Sequence, residues 1–248
     1  MPRIARTIIP RIKKAIDKYG VLGSILRSPL LPIHLYRDYK SARSLPTHTG
    51  PSEFDRHYSV NTDGDIDNVT YLSDLDIPSK NWIHGADYIA ISPERLAAAL
   101  SRIPIRFQDF VFVDLGSGKG RALLVASHYP FKRIIGVEFA PQLHAVAEKN
   151  IQRYTDSGQQ CRAIESVCMD LSEFSLPLEP VVLNLNRPVN EVPLAKLMDN
   201  VQASFDARPR QMYLFYFAPK YQEIFERAHC LVKILGDEDL NLEIYKSI

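Results

Sequence analysis

VFVDLGSGKGRALLVAS, residues 111–127, decides how this chain is read. Its first five residues are β-branched, aromatic or apolar apart from Asp114, the composition of a short buried strand. Three glycines then follow at positions 116, 118 and 120, and a helix-compatible run resumes near Lys119. Glycine carries an entropic cost, so a cluster of it marks backbone that takes positive φ or lies close to something bulky. The stretch predicts a strand, a bare turn and a helix, with a flat cofactor edge against the turn.

The pattern repeats outward from there. Ser92, Pro93 and Glu94 make a helix start, and Leu96, Ala99, Leu100 and Ile103 mark one face up to Pro104. Apolar runs at 110–115, 133–139, 163–170, 180–186 and 211–217 alternate with helical patterns from about 119, over 141–154, 192–205 and 220–228. Such alternation predicts an α/β fold: a Rossmann-like, mainly parallel seven-stranded sheet with helices on both faces. The last two runs, 230–236 and 240–248, are joined by the short turn 237–239 and so form a C-terminal antiparallel hairpin.

Ligands of open parallel sheets bind beyond the carboxyl ends of the strands. A phosphate-binding G-x-x-x-x-G-K-[ST] loop is excluded because Gly120 follows Lys119, and a G-x-G-x-x-G dinucleotide fingerprint is disfavoured because Arg121 stands at its third glycine position. Three strand ends carry acids instead: Asp114, Glu138 twenty-two residues after Gly116, and Asp170. One acid at a strand end is a common turn former. Three in step with the glycines ring one cleft, and Glu138 is placed to accept hydrogen bonds from vicinal ribose hydroxyls.

These residues carry a resemblance. DLGSGKG, then GVEF, then CMD are similar to motif I and its two successors in class I S-adenosylmethionine (SAM)-dependent methyltransferases, over about residues 92–248. HGADYIAISPERL ahead of them resembles bacterial methyltransferases of little-described substrate and, more distantly, protein-lysine methyltransferases. The resemblance implies that Gly116, Ser117, Gly118 and Gly120 border the methionine part of SAM. It gives Glu138 the ribose, Met169 and Asp170 the adenine, and Asp114 the loop or the methionine ammonium. It also implies an upstream tyrosine, met by Tyr88, and an Asn-Pro-Phe segment after the fourth strand. There the sequence departs, with Arg187 before Pro188 where the family has Asn; Asn186 stands one residue earlier. Arginine only donates hydrogen bonds, which suits an anionic acceptor group or an ion pair at the rim. Asp87, Tyr88 and Asn186 are the expected catalytic residues, with His84 as a further lid or base residue.

The rest of the chain divides by charge. Residues 1–44 carry ten Lys or Arg against Asp17 and Asp38, net +8, whereas the remaining 204 residues are net −7. Pro10 to Gly20 bound a cationic amphipathic pattern (Ile9, Ile12, Ile16, Tyr19) that is expected either to pack on the main domain or to touch an anionic membrane surface. Residues 1–50 are thus read as a basic helical extension, 51–91 as an acidic, loop-rich connector and lid, and 92–248 as the SAM-binding domain. Within the connector, residues 51–76 hold seven acids against Arg56. Asp63, Asp65 and Asp67 fall at calcium-loop positions, but Asn68 replaces the required Gly and Asp74 the Glu, so a solvated acidic loop is expected and no metal.

Cys161, Cys168 and Cys230 lack zinc or redox spacing and are expected to be reduced, mostly buried thiols. No signal-like h-region is visible, and a cytoplasmic protein is the simplest expectation. The acceptor is read as a nitrogen or oxygen of a small molecule or protein; nucleic acid is disfavoured because positive charge concentrates in the head. The alternatives are an inactive SAM-binding adaptor at a membrane surface or partner protein, and an NAD-dependent oxidoreductase.

Overall fold

The computed structural model describes residues 51–65, 69–70, 72–78, 85–187 and 189–248, with Lys13 and Ile16 in addition. Lys13 and Ile16 are helical and exposed; the rest of the expected basic head, and any membrane contact through residues 1–44, lies outside the described residues.

Seven strands form one sheet: β1 (Val111–Leu115), β2 (Arg133–Glu138), β3 (Ile164–Cys168), β4 (Val181–Asn186), β5 (Met212–Phe217), β6 (Leu231–Asp237) and β7 (Leu242–Ser247). Their order is β3-β2-β1-β4-β5-β7-β6. The first five strands pair in parallel, and β7 runs antiparallel to both β5 and β6. The Rossmann-like α/β architecture expected from the alternating runs is therefore present, hairpin included. The hairpin is turned inward, with the later strand beside β5 and the earlier one at the edge. β7 is buried along nearly its whole length, whereas β6 is mostly exposed or half-buried.

Alternate side chains of the central strands feed two cores. Val111, Val113 and Leu115 pack with Leu194, Leu197, Met198 and Val201 on one face. Phe112 packs with Leu96, Leu100, Ala122 and Leu123 on the other. The covering helices are α1 (Glu53–Tyr58), α2 (Pro93–Ser101), α3 (Arg121–Ala126), α4 (Pro141–Arg153) and α5 (Glu191–Ala207). Ser92 caps α2 by accepting from the Arg95 amide at 3.2 Å, with Pro93 at its first position, as the sequence predicts.

The helix expected over 220–228 is instead a 3-10 segment, Gln222–Arg227. The Tyr216 hydroxyl accepts from the amides of Lys220 and Tyr221 at 3.2 and 3.3 Å, taking up donors ahead of the segment from outside it. Cys161 and Cys230 are buried and Cys168 is exposed, all three as free thiols. Among the described residues no helix is long and apolar enough to cross a membrane.

Candidate functional site

Strand order reverses between β1 and β4: the chain winds outward through β2 and β3, then returns to the far side of β1. A crevice opens at the carboxyl ends of strands at such a point. Here it is a cleft of about 910 Å³, part of it open to solvent. Asp114, Gly116 and Ser117 form its middle, Glu138, Met169 and Asp170 one end, and Asn186 and Arg187 the other, under a roof that includes Asp87 and Tyr88. Nine of the eleven residues expected at the site thus border one space.

The other two, Gly118 and Gly120, do not, and the three glycines of the turn serve three purposes. All have positive φ (86°, 54° and 88°). A side chain on Gly116 would meet nothing within 4 Å, so its bare face is open space at the cleft. On Gly118 a Cβ would lie 1.9 Å from the Tyr88 ring, so the expectation that a ligand fills this space is corrected: Tyr88 fills it. On Gly120 a Cβ would come within 3.3 Å of Ala147 in α4, so this glycine serves helix packing.

The turn's amides point into the protein. Gly116 and Ser117 both donate to the Val137 carbonyl (2.8 and 3.0 Å), Gly118 to Glu138 Oε2 (2.8 Å), and Gly120 to the Ser117 carbonyl (2.9 Å). A pyrophosphate site needs such amides aimed at the ligand. This turn offers a smooth wall, not an anion nest.

Asp114 pairs in register with Asn184 of β4, whose Nδ2 donates to Asp114 Oδ1 at 2.7 Å. Both are buried. Burial pushes the Asp114 carboxyl up to about 7, and the Asn184 hydrogen bond pulls the other way. Glu138 is also raised to about 7, chiefly by burial and secondarily by nearby Asp114, against the amides of Ala140 and Gly118 that stabilise its charge. Each Glu138 oxygen accepts one backbone N–H at 2.8 Å. A carboxylate has about four lone-pair sites, so acceptor capacity is left for hydroxyl donors. Ser117 borders the cleft, and its Oγ is buried over the bare Cα of Gly136 with no hydrogen-bond partner among the described residues.

At the β3 end, Asp170 Oδ1 accepts from the Ser172 amide at 2.9 Å and caps a short 3-10 turn, while neighbouring Met169 is exposed. Phe139, Leu143 and Leu171 add an apolar lining there that the sequence reading did not name. At the β4 end, Asn186 Nδ2 donates to the Ile89 carbonyl at 3.3 Å, tying strand to roof, and Arg187 borders the cleft with φ 61°. Pro188 and His84 lie outside the described residues.

The roof residues have structural duties as well. Asp87 Oδ1 accepts from the Leu72 amide at 3.0 Å, and Thr70 and Tyr88 form an antiparallel bridge. Tyr88 donates its hydroxyl to the Thr62 carbonyl at 2.6 Å, and burial pushes its pKa far above that of a free phenol. It stands as a wedge between roof, connector and turn. Of the two roles expected of residues 84–88, lid or base, this placement at the roof is that of the lid.

The connector also differs from the solvated acidic loop expected of it. Asp55 and Asp63 are buried and pair with Arg121 at 3.2 and 2.5 Å, and Asp65 pairs with Lys119 at 2.6 Å. Sequence reading used Arg121 only to exclude a dinucleotide motif and missed its partners. The available signal was two cations in a turn that the fold buries, opposite seven acids.

No protein-family model and no curated protein matches the chain. Solved structures to which it is similar include a predicted N6-adenine-specific DNA methylase from Listeria monocytogenes (14% identity, 64% of this chain and 51% of that one, TM-score 0.47). Others are an RNA methyltransferase from Salinibacter ruber in complex with S-adenosyl-L-homocysteine (17%, 64% and 92%, 0.43) and TrmN from Thermus thermophilus (13%, 64% and 49%, 0.47). The chain spans about half the length of the first and third of these. At such TM-scores the likenesses carry no functional weight, and the cleft has to be read from its own chemistry.

Proposed function

We propose that this chain is a class I SAM-dependent methyltransferase acting on a nitrogen or oxygen of a small molecule or a protein side chain. One observation carries the reading: Asp114, Glu138 and the Met169–Asp170 pair converge on the open face of Gly116 at the strand-order reversal. The inward-turned amides disfavour the pyrophosphate of NAD in the same place.

SAM, when bound, supplies the methyl group. Ionised Glu138 would accept the ribose hydroxyls, Met169 and Leu143 would flank the adenine, and Ser117 and Asp114 would border the polar methionyl part. The roof over residues 85–91 excludes water. Asp87 and the Asn186 amide oxygen orient an N–H or O–H of the acceptor, whose proton passes to Asp87 or to solvent. Alignment of this kind is worth about 7–11 kcal/mol in favourable systems, so the chain needs no covalent intermediate.

Calorimetry with SAM and with NAD tests the cofactor, and transfer of label from methyl-labelled SAM to components of a host lysate tests turnover. Tight NAD binding without SAM binding overturns the reading. A second reading, a SAM-binding adaptor without activity, is favoured by Arg187, which borders the cleft where the resemblance implies an Asn. SAM binding with no labelled product in any fraction would support it.

A further inference from the structure

Residues 51–65 grip the glycine turn without touching the cleft. Arg121 Nε donates to Thr62 Oγ1 at 2.6 Å, and its NH2 to Ser52 Oγ at 3.0 Å, Asp55 at 3.2 Å and Asp63 at 2.5 Å. Lys119 Nζ donates to Asn61 Oδ1 at 3.3 Å, the Asp63 carbonyl at 2.8 Å and Asp65 at 2.6 Å. Asn150 of α4 closes the joint, donating to the carbonyls of both Asn61 and Lys119 at 2.8 Å and accepting from the Asn61 amide at 2.9 Å. Tyr88 bridges the two sides, with its ring on Gly118 and its hydroxyl on Thr62. Lys119 and Arg121 are 2% and 6% exposed, yet no residue of 51–65 borders the cleft.

Lys119 within the turn and Arg121 at the start of α3, which itself borders the cleft, are both buried and both spent on a segment outside it, which is more than a cover needs. Their backbone is the ligand wall itself: Gly118 sits beside Lys119 and hands its amide to Glu138. A pull on either side chain moves the atoms that hold that carboxylate.

We propose that Lys119 and Arg121 are positioning residues through which the 51–65 strap sets the conformation of the cofactor wall, so that strap closure and cofactor binding are thermodynamically coupled. The inference rests on the SAM reading of the cleft. Coupling is reciprocal: whatever factor the strap contributes to cofactor affinity, the cofactor returns to strap closure. The amides of Asn61, Thr62 and Asp63 report that closure, since all three donate to side chains within the joint.

The test uses the whole chain. In the wild type, saturating SAM slows hydrogen exchange at residues 61–63 by about tenfold or more, the range expected of coupling between sites. Asp63→Asn weakens SAM binding by a similar factor and shifts the Gly116 and Gly118 amide resonances of the ligand-free protein. Val201→Ala, a truncation in the α5 core remote from strap and cleft, changes neither quantity although it lowers stability. Wild-type SAM affinity and unmoved glycine resonances in Asp63→Asn would overturn the proposal. Absence of SAM binding in the wild type would instead sink the methyltransferase reading, and the ligand-free resonances alone would then decide whether the strap sets the turn.

Discussion

The turn at residues 115–121 has a cleft side and a strap side, built from opposite materials. On the cleft side Gly116 presents bare backbone and Asp114 and Glu138 stand as buried acids raised to about 7, one held by Asn184 and the other by two amides. On the strap side, Arg121 and Lys119 are held by carboxylates, hydroxyls and carbonyls. The first side keeps acceptor capacity on Glu138, and Ser117 Oγ has no partner among the described residues. The second is closed.

The comparison breaks hardest at Arg121. Arg121→Ala leaves Asp55 and Asp63 buried without their cation, and loss of one partner of a buried pair costs about 3–5 kcal/mol; chemical unfolding followed by circular dichroism reads the drop. Glu138→Ala acts on the other side. It removes the proposed ribose acceptor and leaves the amides of Gly118 and Ala140 without their carboxylate, so SAM affinity is expected to fall by about 2–3 kcal/mol, roughly 30- to 150-fold, by calorimetry, while the chain stays folded.

A pH series sharpens the contrast. Asp114 and Glu138 bind a proton more tightly folded than unfolded, where their ordinary values are 3.8 and 4.5. Their contribution to stability is therefore largest at low pH and declines as pH rises from about 4 to about 7, then levels. The proposed SAM site calls on ionised Glu138, so affinity is expected to run the other way, lost as pH falls through about 7. Opposite slopes from one pair of groups are the signature to look for in parallel melting and binding curves. The smallest expected effect is at Tyr88→Phe, which loses the hydrogen bond to the Thr62 carbonyl and costs about 1 kcal/mol of stability. With Tyr88 acting as a wedge, the expected outcome is that the variant keeps the pH dependence of methyl transfer measured with labelled SAM; a changed profile would return it to the role of a base.

Legibility in the sequence followed the same divide. The strand ends at Asp114, Glu138 and Asp170 could be found by spacing because each closes a contiguous apolar run, and parallel strands bring such ends to one edge by construction. Gly118 was misassigned for a reason equally physical. Positive φ and a missing Cβ say that something is close, and only the fold says whether a ligand or Tyr88, thirty residues upstream, is that neighbour. The acids of 51–65 looked solvated because charge runs usually are, and the cations that bury them lie more than fifty residues away. Asn184 is a polar residue inside the apolar run 180–186 and so needs a partner, but only the pairing of β1 with β4 identifies that partner as Asp114.

What the sequence alone determined is the α/β sheet with its terminal hairpin and the chemical character of the strand ends, because side-chain periodicity and turn composition act over a few residues. Tertiary structure decided the insertion of β7 beside β5, the separate duties of Gly116, Gly118 and Gly120, and the closure of an acidic strap on Lys119 and Arg121. Those outcomes depend on which distant surfaces meet, and on the cost of burying a charge unless its counterpart arrives with it.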